Sequence, residues 1–298
     1  MTDMSQAHKV KIIYFSGTGS TALAAEEFER ELISRKVPVV ISEIRAGNFP
    51  SINDEGLLIL LFPVHAFNAP EIVYEWIESI TVRNPLSTAV ISVSAGGNRK
   101  PNMACRLSSI KRLEKKNCRV FYEEMLVMPS NWVKKTPEGL AIRLLEILPL
   151  KVKDIVDEML SEKKHRTKPP QFDRILSRIG ELEKKGAKRF GKKILVSDNC
   201  NGCGWCEKNC PANNISITDG RPAFNGTCLL CLKCFYGCPN KALEPGKFKF
   251  FIIKDGYDLK ALKGRMKGVK PEPVEELAKG YLWRGVRNYL LEGNKGKY

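Results

Sequence analysis

Eight of the ten cysteines lie between Cys200 and Cys238, and their spacing occurs twice. Each run has the form C-x2-C-x2-C-x3-C-P, and the two runs end at Pro211 and Pro239. Gaps of two residues bend the backbone so that three thiols face one centre, whereas the wider gap and the proline turn the chain away from it. Because the linker between the runs is short, both runs must fold together as one compact unit.

This spacing is that of the bacterial run that binds [4Fe–4S] clusters, in which the fourth cysteine ligates the neighbouring cluster. It predicts two clusters, one for each set of four ligands. The first quartet is Cys200, Cys203, Cys206 and Cys238, and the second quartet is Cys210, Cys228, Cys231 and Cys234. Zinc is the alternative, but four ligands around one ion do not explain two complete runs. The segment resembles the two-[4Fe–4S] ferredoxin family, which implies one-electron transfer between neighbouring clusters.

A glycine-rich loop follows the first apolar run of the chain and precedes an amphipathic segment. Its residues are Ser16, Gly17, Thr18, Gly19, Ser20 and Thr21. Such a loop at the start of a helix offers free amides and a positive dipole end to a phosphate. A P-loop is excluded because no lysine stands near the start of the helix. A dinucleotide fingerprint, with Glu43 as its acidic residue, remains formally present. The four hydroxyl groups favour the phosphate of FMN instead.

Two further segments follow apolar runs and resemble the loops that clasp the isoalloxazine ring in flavodoxins. The first is Pro63, Val64, His65, Ala66, Phe67 and Asn68, and the second is Ser94, Ala95, Gly96, Gly97 and Asn98. Together with the cysteine runs, they make the chain resemble the flavodoxin–ferredoxin fusion proteins of the EFR1 family. The resemblance implies non-covalent FMN and two [4Fe–4S] clusters as cofactors.

Within these loops, Phe67 is the candidate for packing on the flavin ring or for sealing the loop onto the core. His65 is a candidate for a hydrogen bond near the reactive edge of the flavin, and a role as an ordinary loop histidine is the alternative. The second loop has no aromatic side chain. One face of the flavin is therefore expected to be open to a substrate or covered by Trp132 or the ferredoxin module.

Short apolar runs alternate with amphipathic stretches over the first 130 residues, which is typical of a parallel α/β sheet. The predicted strands are Val10–Ser16, Val37–Glu43, Leu57–Val64, Thr88–Ser94 and Val120–Met128. With the resemblances given above, the expected fold class is an α/β flavodoxin-like, doubly wound, parallel five-stranded sheet plus a small α+β ferredoxin-like domain.

The chain is expected to divide into four segments. Residues 1–165 form the FMN-binding domain, 166–193 a basic helical connector with a helix from Gln171 to Lys185, and 194–246 the ferredoxin domain. Residues 247–298 form a basic extension with a strand, Lys247–Ile253, and a helix, Pro273–Leu291.

Most of the net charge of +16 lies in two stretches of the chain, because residues 133–199 and 246–298 each carry +7. Two explanations of this excess are equally good. The cations can lie on solvated helix faces, or they can dock a redox protein with an acidic surface. Nucleic acid is disfavoured because no recognition motif accompanies the charge. The polar start of the chain and the lack of a membrane-spanning stretch predict a cytoplasmic location.

The sequence predicts electron transfer between FMN and two [4Fe–4S] clusters, linking a low-potential donor to a redox partner. A flavin-dependent reductase of a small molecule, fed by the clusters, is one alternative. A redox-responsive sensor or assembly protein is another. The oligomeric state is not indicated.

Overall fold

The computed structural model describes residues 9–52, 56–180, 183–266 and 272–292. Five strands form one sheet in which every neighbouring pair is parallel, in the order β2-β1-β3-β4-β5. They are β1 (Val10–Tyr14), β2 (Val39–Glu43), β3 (Leu57–Pro63), β4 (Leu86–Ser94) and β5 (Cys118–Val127). This order is that of the flavodoxin-like doubly wound fold.

Helices cover both faces of the sheet, which explains why β3 is apolar along most of its length. They are α1 (Ser20–Ser34), α2 (Glu71–Ser79), α3 (Leu107–Lys115) and α4 (Glu138–Leu160). Phe28 of α1 and Leu145 of α4 belong to the core on one face. Trp76 of α2 and Ile110 of α3 belong to the core on the other face. The predicted fold class of this part is confirmed.

The connector contains two helices, α5 (Gln171–Gly180) and α6 (Glu183–Gly191), where the sequence predicted one helix to Lys185. Residues 181–182, between them, lie outside the described part of the chain.

The cysteine segment is a small α+β domain with the predicted two-fold repeat. Its strands and helices are β6 (Leu195–Val196), α7 (Trp205–Asn209), β7 (Ile215–Thr218), β8 (Arg221–Phe224), α8 (Lys233–Gly237) and β9 (Leu243–Glu244). Strands β6 and β9 pair antiparallel, as do β7 and β8. Both short helices begin after a left-handed residue at the same place in the repeat, Gly204 (φ 71°) and Leu232 (φ 61°). The predicted ferredoxin-like domain is confirmed.

The strand predicted over Lys247–Ile253 is wrong, because this segment is a 3₁₀ helix, Gly246–Phe251. In a 3₁₀ helix, residues i and i+3 lie one above the other. Phe248 and Phe251 have this spacing, and their rings stack with centroids 5.9 Å apart. Packing of these two rings therefore overrides the local preference for a strand.

The single helix predicted over Pro273–Leu291 is also wrong. In the described part of the extension, which omits residues 267–271 and 293–298, three helices follow the 3₁₀ helix: α9 (Leu259–Arg265), α10 (Val274–Leu277) and α11 (Arg284–Glu292). Gly280 has a φ of +83°, a left-handed conformation that ends regular helix between α10 and α11. The last predicted residues of the extension, 293–298, lie outside the described part of the chain. Over the described ranges, no helix has the length and apolarity needed to cross a membrane.

A buried ion pair holds α3, β5 and the start of the connector together. Arg106, which is fully buried, donates through Nε to Glu123 at 2.7 Å and through a second nitrogen to Ser92 at 2.8 Å. The other oxygen of Glu123 accepts from the backbone nitrogen of Thr167 at 2.9 Å. The pair thus links the sheet to the segment that leads into α5.

Replacing Arg106 with methionine should leave the buried Glu123 carboxylate without its closest charged partner, with Arg166 remaining at 3.4 Å. We expect the free energy of unfolding to fall by about 3–5 kcal/mol. Arg112→Met is the matched control, because it removes an exposed pair with Glu78 and should cost less than about 1 kcal/mol. Urea denaturation measures both. Equal costs for the two variants would contradict the role assigned to the buried pair.

Candidate functional site

A cavity of about 570 Å³ lies where β1, β3 and β4 end, at the carboxyl edge of the sheet. Open α/β sheets bind ligands at this edge. All three predicted FMN loops reach it. The predicted residues that line it are Ser16, Gly17, Thr18, Ser20, Thr21, Pro63, Val64, His65, Ala66, Phe67, Ser94, Ala95 and Gly96.

Four other predicted site residues do not line the cavity. Gly19 is the N-cap of α1, with a φ of 103°. Asn68 is buried and bonded to α5, and Gly97 packs against Gly285 of the C-terminal extension. Asn98 is exposed. These four residues shape the loops without bordering the cavity.

The first loop is fixed by hydroxyl groups. The Ser16 hydroxyl accepts from the backbone nitrogen of Ala22 at 3.2 Å, and the Thr18 hydroxyl accepts from the Asn131 side chain at 2.7 Å. The Ser20 hydroxyl lies 2.5 Å from that of Tyr257, in the C-terminal extension. Among the described residues that line the cavity there is no Asp, Glu, Lys or Arg. A phosphate here would be held by amides and hydroxyls at the start of α1, which fits the cation-free loop.

The second loop is a tight turn of uncommon conformation. His65 and Asn68 exchange two backbone hydrogen bonds of 2.8 Å, and the residues between them, Ala66 and Phe67, have φ values of 40° and 66°. Two successive left-handed residues define a type I′ turn, which usually contains asparagine or glycine. Phe67 lines the cavity from a left-handed backbone conformation that is unfavourable for its residue type. Contacts with neighbouring segments must therefore stabilise this turn.

Helix α5 holds this turn. The Ser177 hydroxyl donates to the Asn68 side chain at 2.7 Å, and the Asn68 amide donates to the Ser177 carbonyl at 2.5 Å. A Cβ added at Gly180 would lie 1.9 Å from the carbonyl oxygen of Ala66, so only glycine fits. Ser177 and Gly180 were not predicted, since neither residue gives a local sign of its distant partner in the sequence.

His65 connects the same turn to the ferredoxin-like domain. Its imidazole makes a hydrogen bond to the backbone of Leu229, and burial lowers its pKa from 6.5 to about 4. His65 is therefore neutral at pH 7. His65 also lines the large cavity, so the hydrogen bond near the flavin and the role of an ordinary loop histidine both stay predictions.

A wall of aromatic rings closes the side of the cavity that the second and third loops leave uncovered. Trp132 stacks on Phe251, with ring centroids 4.3 Å apart and planes at 20°. Phe190 and Phe248 line the same wall. Trp132 was one of the covers expected from the sequence. The three phenylalanines were missed because they come from the connector and the C-terminal extension, far from the flavodoxin-like motifs.

Each predicted cysteine quartet surrounds its own small cavity. One cavity is lined by all four members of the first quartet, and another by all four members of the second quartet. Within the described ranges, no three His, Cys, Asp or Glu side chains meet closely enough to hold a single metal ion. What the structure shows is that the four thiols of each quartet line one shared cavity.

The two quartets differ in exposure. Cys203 of the first quartet is exposed, whereas Cys210 of the second quartet is buried. Burial raises the pKa of Cys228 to about 12 and that of Cys231 to about 11. Because iron binds the thiolate, insertion of a cluster must displace these protons.

Backbone amides already point at the sulfur atoms. The amide of Asn214 donates to Cys210 at 3.3 Å, and that of Ala242 donates to Cys238 at 3.3 Å. These two bonds occupy equivalent positions, four residues after the last cysteine of each run. Such amides stabilise the charged form of a ligand sulfur and tune the potential of a cluster. The residues therefore fit two [4Fe–4S] clusters.

Cys231 belongs to both sites. It lines the large cavity, with Leu230 and Leu232, and it also lines the cavity of the second quartet. The backbone of Gly17 is so near that an added Cβ would lie 2.7 Å from the Cys231 carbonyl oxygen. The second quartet therefore adjoins the glycine-rich loop.

Comparison with known proteins bears on the cysteine segment. Residues 194–216 match the family model described as a 4Fe-4S binding domain. No curated protein sequence matches the chain. The chain joins a flavodoxin-like domain to a ferredoxin-like domain. Membership of the EFR1 family stays a prediction.

Several solved structures are similar to part of the chain. A flavodoxin from Megasphaera elsdenii is 17% identical, with 39% of this chain and 84% of that chain aligned and a TM-score of 0.32. A flavoprotein from Bacteroides uniformis is 16% identical (51% and 99% aligned, TM-score 0.36). A flavoprotein in complex with FMN from Lactobacillus acidophilus is 17% identical (40% and 93%, TM-score 0.30). The fold assignment rests on the strand order and does not depend on these alignments.

The lowered pKa of His65 predicts how stability depends on pH. In the unfolded chain this imidazole titrates near its ordinary value of 6.5, and in the folded chain near 4. Its contribution to stability is therefore complete above pH 6.5 and is lost as the pH falls toward 4. Between these values, the free energy of unfolding should fall more steeply for the wild type than for His65→Gln. Urea denaturation across this range measures both slopes, and identical slopes would contradict the assignment.

Proposed function

We propose that this protein transfers electrons between FMN, bound in the 570 Å³ cavity, and two [4Fe–4S] clusters, bound by the two cysteine quartets. The observation that carries the proposal is the position of Cys231, which borders both the cavity and the second quartet. Among the described residues, Cys231 is shared by the linings of both sites, and its backbone meets that of Gly17. An electron on the second cluster would thus be next to the flavin.

FMN exchanges one or two electrons and each cluster exchanges one, so a chain that holds both can convert between these modes. The residues of the cavity supply the binding. The start of α1 offers amides to the phosphate, with the hydroxyl groups of Ser16 and Thr18 fixing the loop. The aromatic wall and the His65 turn exclude water from the ring, and the neutral His65 adds no charge beside it.

The difference in exposure between the two quartets suggests the order in which an electron would pass through them. The first quartet, with Cys203 at the surface, is the place where an external redox protein would exchange electrons. The second quartet lies between it and the cavity. The surface beside the first quartet carries both acidic and basic side chains, such as Asp198, Asp219 and Arg221. The acidic docking surface expected of the partner therefore stays a prediction from the basic connector and extension.

A second candidate function is reduction of a small molecule at the flavin, with the clusters as electron source. The size of the cavity favours it, since the cavity extends from the three loops to Trp132, Phe190 and Phe248. Flat, apolar acceptors would suit such a wall. Steady-state turnover with a panel of quinones and nitroaromatic compounds separates an enzyme from a carrier, which would only equilibrate with protein partners.

We expect the protein, purified without oxygen, to contain about eight iron and eight sulfide per chain, together with one FMN that is released on denaturation. The two quartets and the cation-free loop are the reasons. Metal analysis, sulfide analysis and chromatography of the released flavin measure the three quantities. About four iron per chain would contradict one quartet as a cluster site. Zinc alone would contradict both.

Gly17→Ala should disturb the boundary between the flavin and the second cluster. The new Cβ would lie 2.7 Å from the Cys231 carbonyl oxygen, so one of the two segments must move. Overpacking of this kind costs about 1–3 kcal/mol. If this cost falls on the holoprotein, FMN should bind about tenfold or more weakly.

Gly264→Ala is the matched control, because a Cβ there meets nothing within 4 Å. Flavin fluorescence titration measures FMN affinity in both variants, and iron content verifies that the clusters are retained. Equal affinity in Gly17→Ala and Gly264→Ala would show that the flavin does not lie against the Cys231 segment.

A further inference from the structure

Helix α5 has its polar side chains toward the protein and its apolar side chains toward solvent. Asp173 and Ser177 are 0% and 2% exposed, whereas Phe172, Ile175 and Ile179 are 58%, 55% and 56% exposed. The three apolar residues are spaced i, i+3 and i+7, so they form one stripe along the helix. This order is the reverse of that in an ordinary surface helix.

The orientation of α5 is fixed by its buried polar contacts. Asp173 accepts from the backbone nitrogen of Met103 at 3.2 Å, and Ser177 bonds to Asn68 as described above. Rotating the helix to bury its apolar stripe would break both contacts. The stripe is therefore held outward by the same contacts that hold the loops of the cavity.

A second exposed apolar pair contacts the same 97–103 segment. Tyr281 and Leu282 are 77% and 55% exposed. Arg99 donates to the Tyr281 carbonyl at 3.3 Å, and its guanidinium lies 4.6 Å from the centre of the Tyr281 ring. Because Met103 contacts α5 and Arg99 contacts Tyr281, both apolar groups flank the same segment. We call Phe172, Ile175, Ile179, Tyr281 and Leu282 the apolar patch.

Exposed cations accompany both parts of the apolar patch along the chain. Two exposed arginines of α5 lie beside the stripe, and three further exposed cations stand next to Arg99 or to the Tyr281 pair in the sequence. They are Lys100, Arg174, Arg178, Lys279 and Arg284. Two exposed glutamates, Glu275 and Glu276, lie one short helix earlier, so the balance of the described neighbours is positive.

We infer that the apolar patch is a docking surface for an anionic lipid bilayer. Apolar side chains at the tip of a basic surface enter the boundary between headgroups and acyl chains, while the cations face the lipid phosphates. Each Lys or Arg near such a surface adds to binding. A bilayer needs no matching shape, which suits a patch that lines none of the three cavities described above. Docking places the segment after β4, which borders the large cavity, beside the lipid.

This inference does not depend on the identity of the cofactors. It is tested by flotation of the full-length holoprotein with vesicles of phosphatidylcholine that contain about 30% phosphatidylglycerol, at about 0.1 M salt. We expect the protein to float with these vesicles and not with vesicles of phosphatidylcholine alone. Raising the salt to about 0.5 M should weaken binding several-fold, because the cations contribute to it.

The triple variant F172S/I175S/I179S should bind these vesicles about tenfold or more weakly, since it removes the inserted side chains without changing charge. The matched control is I33S/V40S/L150S, which removes three exposed apolar side chains from other surfaces and should bind as the wild type does. Flavin and cluster absorption spectra verify that both variants are folded.

Failure of the wild type to float with the anionic vesicles would overturn the inference and would leave an acidic protein as the occupant of the patch. Equal loss of binding in both triple variants would also overturn it. So would equal flotation with neutral and anionic vesicles. None of these outcomes bears on the proposed electron transfer, which is measured without lipid.

Discussion

The close approach of Gly17 to Cys231 is the contact on which the rest of this molecule depends. At that point the backbone of the glycine-rich loop meets the backbone of a cluster-binding run, and even a methyl group would not fit between them. The flavodoxin-like sheet sets the position of the loop, and the two-fold cysteine repeat sets the position of the run. The proposed electron transfer requires both positions at once, because the rate of electron transfer depends on the separation of the cofactors.

The connector and the C-terminal extension maintain this contact, although composition makes them look like basic linkers. Helix α5 holds the His65 turn through Ser177 and Gly180. Tyr257 of the extension lies against Ser20 of the first loop, and its hydroxyl donates to the Pro129 carbonyl at 3.0 Å. The 3₁₀ helix supplies two rings of the aromatic wall. These segments complete the cavity that the three flavodoxin-like loops begin, and they account for much of the excess positive charge.

Periodic patterns and ligand spacing predicted the parts of this structure that local chemistry determines. The continuous apolar run of β3 predicts a strand covered on both faces, and the C-x2-C-x2-C-x3-C-P runs predict the two quartets that line separate cavities. The predictions were wrong where distant packing decides. The local sequence around Phe248 and Phe251 predicts a strand. In the structure their rings pack against Phe190 and Trp132 instead, and the segment is a 3₁₀ helix. Ser177 shows no signal because its partner, Asn68, lies 109 residues earlier.

The most direct test of the central claim is the reduction of the flavin after the clusters are reduced by a light flash. If the second cluster adjoins the flavin, electrons should pass within one chain, so the rate of flavin reduction should not change when the protein is diluted tenfold. Gly17→Ala should slow this step, and Gly264→Ala should not. A rate that falls in proportion to protein concentration would mean that electrons pass between molecules, which would contradict the shared boundary at Cys231.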